Sequence, residues 1–151
     1  MKMAIGSIPV LNKLIQLTKD TEEGYLTAAE NIDDSYLQKL LKERAENCHI
    51  AIIDLQRKVK EMDGVPTENG TFIGTMHRSW INIKGTLTGK DELMILDECE
   101  KGEALIEQVY EKFLKSDISE EIRPLIQQQY ESIVTDHNIM RDLIDKYEAN
   151  Q

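Results

Sequence analysis

Four long stretches of this 151-residue chain place apolar residues three and four positions apart, with charged residues between them. That spacing lines one face of an α-helix, because an α-helix makes one turn every 3.6 residues. Helix breakers are rare, since only three prolines occur, at positions 9, 66 and 124. None of the four amphipathic helices can bury its apolar face alone. The sequence therefore predicts an all-α four-helix bundle.

The first two helices are predicted to begin near residues 7 and 34. Ser7 is the candidate N-cap of the first helix, and Pro9 then falls in its first turn, where the missing N–H costs nothing. Asp33 or Asp34 is the candidate cap of the second helix. Only a few residues separate the two helices, so they are predicted to form an antiparallel hairpin.

The second helix is predicted to end near residue 62, because Gly64 and Pro66 follow its last turn. About 27 residues, from 63 to 90, then precede the third helix, far more than a tight turn needs. Apolar residues in this segment predict a shorter helix within the crossover. A crossover of this length can run along the whole bundle, which would make the second and third helices parallel. Two hairpins joined in this way form the ferritin-like arrangement.

The third helix is predicted to begin after Gly89, with Asp91 as its cap, and the fourth to begin after a short turn capped by Asp117 or Ser119. The second hairpin weakly repeats the first. Residues 22–24 and 49–55 have counterparts in residues 100–102 and 137–143. The gap from the glycine to the histidine is 25 residues in one half and 35 in the other, so the repeat is imperfect.

The composition is acidic, with 28 Asp and Glu against 18 Lys and Arg and a net charge of −10. Such a charge repels phosphate backbones and anionic membranes, so neither nucleic acid nor a membrane is expected as a direct partner. No apolar stretch approaches the ~20 residues of a membrane span, and no signal peptide is evident. Cys48 and Cys99 form no C-x-x-C pair, so buried free thiols in a cytoplasmic protein are expected.

Residues spread over most of the chain carry a family pattern, of which His-Arg-x-Trp followed by Leu-Thr-Gly is the most specific part. They are Glu22-Glu23-Gly24-Tyr25, Ala28-Ala29-Glu30, Gly74, His77, Arg78, Trp80, Lys84, Leu87, Thr88, Gly89, Cys99-Glu100, Gly102-Glu103 and Tyr110. On these residues the chain resembles a bacterial family of ferritin-like four-helix-bundle proteins of unknown function. The resemblance implies one ferritin-like domain spanning residues 1–151, and it implies no activity.

A carboxylate-bridged di-iron or other divalent metal site is one functional hypothesis. Ferritin-like di-iron proteins take one Glu from each of two helices and a Glu-x-x-His pair from each of the other two. The candidate metal ligands are Glu22, Glu46, His49, Glu103 and His137, with Glu100 as an alternative to Glu103.

Two features of the sequence oppose this hypothesis. Val134 occupies the position three before His137, so the second Glu-x-x-His pair lacks its carboxylate. The helical positions of Glu46 and His49 also direct both side chains toward a flank or solvent. The alternative is a metal-free polar layer in the bundle that fixes the helix register and needs no cofactor. Its candidate members are Glu22, Glu103, Gln129 and His137, with Thr18, Tyr25, Tyr110 and Tyr130 as partners.

The sequence is compatible with two functions. The first is a non-catalytic bundle, stress-related or structural, that self-associates or binds a protein partner. The second is a ferritin-like metal-binding protein or oxidase, which the missing carboxylate at position 134 disfavours. The crossover contains a cluster of His77, Arg78 and Trp80. This cluster is either a recognition patch for a partner or a packing element in which Trp80 anchors the crossover on the bundle core.

Overall fold

The computed structural model describes residues 6–68 and 92–150, and within them the chain forms four α-helices and no strand. The helices are α1 (Ser7–Asn31), α2 (Ser35–Glu61), α3 (Glu92–Leu114) and α4 (Arg123–Ala149). The predicted all-α four-helix bundle is therefore confirmed. The predicted crossover helix, the cap at Asp91 and the cluster of His77, Arg78 and Trp80 lie outside the described residues.

The four helices form two hairpins that pack through α1 and α3. α1 packs closely against α2 and against α3, and α3 packs against α4. In the described helices, α2 and α4 lack such close backbone packing, and side chains bridge the space between them. This wider space between α2 and α4 is where the candidate site lies.

The apolar stripes predicted from the sequence meet in one core. Each fully buried Leu or Ile contributes about 1.5–3 kcal/mol relative to an exposed one, so this core is the main stabilising element. The largest fully buried side chains are Leu11, Leu14, Ile15, Ile32, Leu37, Leu41, Leu55, Leu96, Tyr110, Ile122 and Ile126.

The prediction of Ser7 as the N-cap of α1 is wrong by one residue. Gly6 occupies the cap position without a side-chain hydrogen bond, and Ser7 is the first helical residue. The reason is that the Gly6 carbonyl already accepts the Val10 N–H, at 3.3 Å, which extends the helix backward. Pro9 lies in the first turn, as predicted.

The two ends of α2 follow sequence-encoded signals. Asp34 is the N-cap, and its side chain accepts the Leu37 N–H at 2.9 Å. At the other end Asp63 takes a left-handed conformation, with φ of 60°. The N–H of Gly64 donates to the Val59 carbonyl at 2.9 Å, and that of Asp63 to the Lys60 carbonyl at 3.0 Å. These two bonds are a Schellman motif.

Gly64 is closely packed, but its backbone angle does not demand glycine, because Asp63 takes the left-handed position. A Cβ added at Gly64 would lie 2.7 Å from Ile8 Cδ1. The chain that leaves α2 is then fixed to α1, since Asn12 donates to the Val65 carbonyl at 3.2 Å and accepts the Thr67 N–H at 2.9 Å.

The predicted cap of the fourth helix at Asp117 or Ser119 is wrong, because α4 begins at Arg123. Ile122 holds the cap position without a side-chain bond, and Pro124 follows in the first turn. Ser119 instead forms a separate turn, in which its hydroxyl accepts the Glu121 N–H at 3.1 Å. Arg123 then donates to two carbonyls at the end of α3 and just after it, Leu114 at 2.7 Å and Ser116 at 3.1 Å.

Candidate functional site: a polar cavity between two helices

A cavity of about 600 Å³ lies between α2 and α4 and reaches the centre of the bundle. All four helices contribute to its lining. At its mouth the lining side chains are exposed, as for Asn47 and Ile50 of α2 and Thr135 of α4. Deeper in, they are buried and largely polar, so the site combines an open entrance with a polar interior.

Glu103 of α3 lies in the buried part of the cavity and is only 2% exposed. Its Oε2 accepts a hydrogen bond from the Tyr25 hydroxyl of α1. Its Oε1 is buried and has no hydrogen-bond partner among the described residues. Burial raises the pKa of Glu103 to about 8, although the Tyr25 hydrogen bond and the Arg44 charge oppose the rise. Near pH 7 this carboxyl is therefore mostly protonated and uncharged.

A second buried contact connects three helices across the cavity. The Tyr110 hydroxyl of α3 donates to Gln129 Oε1 of α4 at 2.7 Å, and Gln129 Nε2 donates to the Ala51 carbonyl of α2 at 3.2 Å. Burial raises the pKa of Tyr110 as well, so its phenol stays protonated. The amide thus satisfies one phenol and one backbone carbonyl without any formal charge.

Arg44 of α2 and Asp136 of α4 form an ion pair in the same cavity. Arg44 Nη1 lies 3.1 Å from Asp136 Oδ1, and Arg44 is 8% exposed. Its Nε and Nη2 are buried and lack a hydrogen-bond partner among the described residues. Burial raises the pKa of Asp136, and the Arg44 charge opposes that rise. Arg44 was not among the residues predicted from the sequence, although its place between Leu41 and Cys48 on the core stripe indicates burial.

His137 of α4 lies between two carboxylates of α3. Its Nδ1 is 3.1 Å from Glu107 Oε1, within hydrogen-bond range, and its Nε2 is 3.7 Å from Glu100 Oε1, which is too long for a hydrogen bond. The imidazole is 4% exposed, so these contacts form in a largely dry environment. Glu107 was not among the residues predicted from the sequence.

The remaining predicted ligands lie nearer the surface. Glu22 Oε2 is 3.3 Å from His49 Nδ1, and the His49 side chain is 63% exposed. Glu46 is also exposed. The structure thus divides the predicted ligands into a Glu22–His49 pair, a His137–Glu100 pair and a Glu103 bound to Tyr25. Within residues 6–68 and 92–150, no group of three or more His, Cys, Asp or Glu side chains is arranged to hold a metal ion.

These contacts follow the internal repeat of the sequence. Glu22 of the first hairpin contacts His49, and its counterpart Glu100 of the second hairpin contacts His137. The polar layer predicted as an alternative is present only in part, because Glu22 and His137 make these separate contacts while Glu103 and Gln129 line the cavity.

The two cysteines are not poised for thiolate chemistry. Cys99 is buried, as predicted, whereas Cys48 is half-buried and lines the cavity. Burial raises the pKa of both thiols, and Glu22 and Asp136 raise that of Cys48 further. Both side chains therefore remain neutral thiols at physiological pH.

The fold and the cavity define a four-helix-bundle protein with a polar interior that includes the Arg44–Asp136 ion pair. No described helix is both long enough and apolar enough to cross a membrane. Residues 7–116 match the protein family described as a domain of unknown function, DUF2383, and the chain belongs to this family. The match covers the first hairpin and α3 and ends before α4 begins. No curated protein matches the chain.

Proposed function

We propose that this protein is a non-catalytic helical bundle that acts by associating with a second copy of itself through the outer faces of α2 and α4. The observation that carries the proposal is the exposure of large apolar side chains on both sides of the cavity mouth. Tyr36 and Ile50 of α2 are 64% and 52% exposed, and Ile139 of α4 is 45% exposed. Apolar side chains grouped in this way are typical of association surfaces.

These residues share one side of their helices. Tyr36 precedes the cavity-lining Asp54 by five full turns of α-helix, so both have the same angular position on α2. Ile50 itself lines the cavity mouth. On α4, Ile139 lies one turn beyond the cavity-lining Asp136 and therefore faces the same way. Ile50 and Ile139 thus border the cavity mouth on α2 and α4, and Tyr36 lies on the same face of α2, about two turns before the cavity-lining Arg44.

The dimensions of this face suit a symmetric dimer. α2 and α4 each contain 27 residues, which corresponds to a length of about 40 Å. Two such helices side by side offer about 800 Å² per partner, the size of a standard stable interface. A two-fold axis would bring the same patch of both copies together, so each contact between two different residues of the patch would occur twice.

Sedimentation equilibrium of the full chain tests this proposal. The wild-type protein is expected to be dimeric, and the Ile50→Ser/Ile139→Ser variant to be monomeric at the same concentration. Leu26→Ser is the matched control, because Leu26 is 44% exposed but belongs to α1. A monomeric wild-type protein, or an equal effect of the Leu26 change, would overturn the proposal.

A divalent metal at His137 is the second candidate function. It is favoured by the largely buried imidazole with a carboxylate of α3 near each ring nitrogen. The complete ferritin-type ligand set does not fit, because Glu46 is exposed and Val134 occupies the remaining carboxylate position. A metal here would be held by His137 with Glu100 or Glu107, the residue types that bind iron and zinc.

Elemental analysis after anaerobic loading with Fe(II) separates the two candidates. Protein purified without a metal-affinity tag is expected to retain about one metal per chain if the site is real. His137→Ala should abolish this binding, whereas His49→Ala, which removes the exposed histidine, should not. Metal-free wild-type protein, or equal loss in both variants, would dismiss the metalloprotein hypothesis.

A further inference from the structure

The outer face of α2 carries a line of exposed residues that follow one another at alternating steps of three and four. They are Glu43, Glu46, Ile50, Ile53, Arg57 and Lys60, here called the α2 seam, and all are exposed. Such alternating steps keep residues on one side of a helix, which is the pattern along which two helices pack in a coiled coil. The seam lies on the side opposite Leu41 and Leu55, which are fully buried. α2 therefore has a second patterned side, which is directed away from its own bundle.

The chemistry of the α2 seam changes along its length. Its first two members are acidic and its last two are basic. Between them lie Ile50 and Ile53, which are 52% and 40% exposed. The seam therefore carries no net charge, whereas the whole chain carries −10. Two copies of so acidic a chain repel each other on average, so a neutral strip with an apolar centre is well suited to meet a second copy.

An antiparallel second copy of α2 complements this order of residues. When Ile50 of one copy lies level with Ile53 of the other, Glu46 lies level with Arg57. The outer acidic and basic members of the seam then lie level as well, because the two helices run in opposite directions. A parallel copy would instead place each charged residue beside its own equivalent, which is unfavourable. Lys39 precedes the seam by one step, and its counterpart, position 64, lies past the end of α2.

We propose that the α2 seams of two copies pack antiparallel about a two-fold axis, with Ile50 against Ile53 at the centre and Glu43 and Glu46 against the basic residues of the second copy. The inference rests on the proposed self-association and specifies the contact that α2 makes in it. The two-fold axis repeats each isoleucine contact and each charge pair. The isoleucines supply the buried apolar area, and the charge pairs determine the direction and the register of the helices.

Arg57 already has a neighbour within its own helix. Its Nη1 lies 3.4 Å from Asp54 Oδ1, and the two side chains are 64% and 41% exposed. An exposed ion pair of this length contributes little, so it does not keep Arg57 from a carboxylate of a second copy. Among the helices that the structure describes, Glu43, Glu46 and Lys60 form no ion pair. The charged members of the seam are therefore available for contacts between copies.

Charge reversal on the α2 seam tests this pairing by sedimentation equilibrium of the full chain. Glu43→Lys/Glu46→Arg makes every charged member of the seam basic, and Arg57→Glu/Lys60→Glu makes every one acidic. Each variant alone should dimerise at least about tenfold more weakly than the wild type, because like charges then meet. An equimolar mixture of the two variants should form a mixed dimer, since each chain supplies the charges that the other has lost.

Glu23→Lys/Glu30→Arg is the matched control, because it reverses the same number of exposed acidic residues on α1. It should dimerise as the wild type does. Ile53→Ser should weaken the dimer at least about tenfold, because it removes apolar area from both central contacts, although Ile53 is not part of the cavity lining. Circular dichroism of each variant checks that the helices are intact.

The outcomes distinguish this contact from the proposed self-association. A monomeric wild-type protein would overturn both. A dimeric wild type whose charge-reversed variants dimerise equally well, or whose mixture forms no mixed dimer, would overturn the α2 pairing alone. An equal loss of the dimer in the α1 control would indicate a general effect of charge and would overturn the pairing as well.

Discussion

Tyr25 of α1 donates a hydrogen bond to Glu103 of α3, and the two residues hold equivalent positions in the two halves of the chain. Each follows a buried glycine, Gly24 in the first half and Gly102 in the second. Two carboxyl groups meeting at this point would have to share a proton, because like charges so close cannot both ionise. A phenol facing a neutral carboxyl group forms a hydrogen bond without that conflict. The two halves therefore differ chemically where they meet.

We expect the stability of the wild-type protein to fall as the pH rises from about 5 to 9. The pKa of Glu103 is raised from 4.5 to about 8 in the folded chain. Between these values the folded chain binds more protons than the unfolded chain, so raising the pH removes stability. The loss from this group is on the order of a few kcal/mol. Urea unfolding at pH 5, 7 and 9 measures it.

Glu103→Gln is the control for that pH dependence. Glutamine has nearly the same shape and carries no titrating proton, so the variant should show a shallower pH dependence and exceed the wild type in stability at pH 9. Asp136, whose raised pKa acts in the same direction, remains in both proteins. Identical pH profiles for the two proteins would show that Glu103 is not the titrating group.

Tyr25→Phe should destabilise the bundle by about 1–3 kcal/mol, because it leaves a second oxygen of Glu103 buried without a hydrogen-bond partner. It should also raise the pKa of Glu103 further, since the Tyr25 hydrogen bond lowers it. Chemical denaturation at pH 6 measures the first effect. Tyr36→Phe, at a tyrosine that is 64% exposed, should leave stability unchanged. Equal effects of the two changes would contradict the assignment.

Gly64→Ala should destabilise the protein by about 1–3 kcal/mol through overpacking. The new Cβ would lie 2.7 Å from Ile8 Cδ1 and 3.0 Å from Val59 Cγ1. Ile8→Val removes the nearer methyl group, so Gly64→Ala should cost less in the Ile8→Val background than in the wild type. A double-mutant cycle by thermal unfolding measures this coupling, and strictly additive effects would exclude the contact as the cause.

Asp34→Ala should cost about 1 kcal/mol by removing the N-cap of α2. The Asp34 side chain accepts the Leu37 N–H, which otherwise has no acceptor within the helix. Asp33→Ala makes the same change one residue earlier, where the cap position is not occupied, and should be nearly neutral. Thermal unfolding of both variants discriminates them, and equal losses would point to general charge effects.

The fold could be predicted largely from periodicity. The apolar stripes of α2, α3 and α4 predicted which face of each helix is buried. Their members Leu41, Leu96 and Ile126 are fully buried. The start of α4 could not be predicted, because it depends on contacts that local patterns do not encode. Ser119 is a residue type that often caps helices. The start of α4 is determined instead by the side chain of Arg123 and by the turn before Pro124.

The site was predictable only where a side chain lay on a core stripe. Glu103 and His137 lie on such stripes and are buried, as their spacing indicated. His49 is exposed, which agrees with its predicted position on α2 toward a flank or solvent. The partnership of Arg44 with Asp136 could not be predicted, since it depends on how far α2 and α4 stand apart. That distance is a property of the packed bundle and of no single helix.

The contacts of Arg123 also bear on the order in which the chain folds. Its bond to the Leu114 carbonyl closes a loop of nine residues, whereas the Tyr25–Glu103 bond closes one of 78. The entropy lost on closing a loop grows with its length, so the turn between α3 and α4 forms at lower entropic cost. We therefore expect each hairpin to form before the two dock, with the phenol and carboxyl group meeting late in folding.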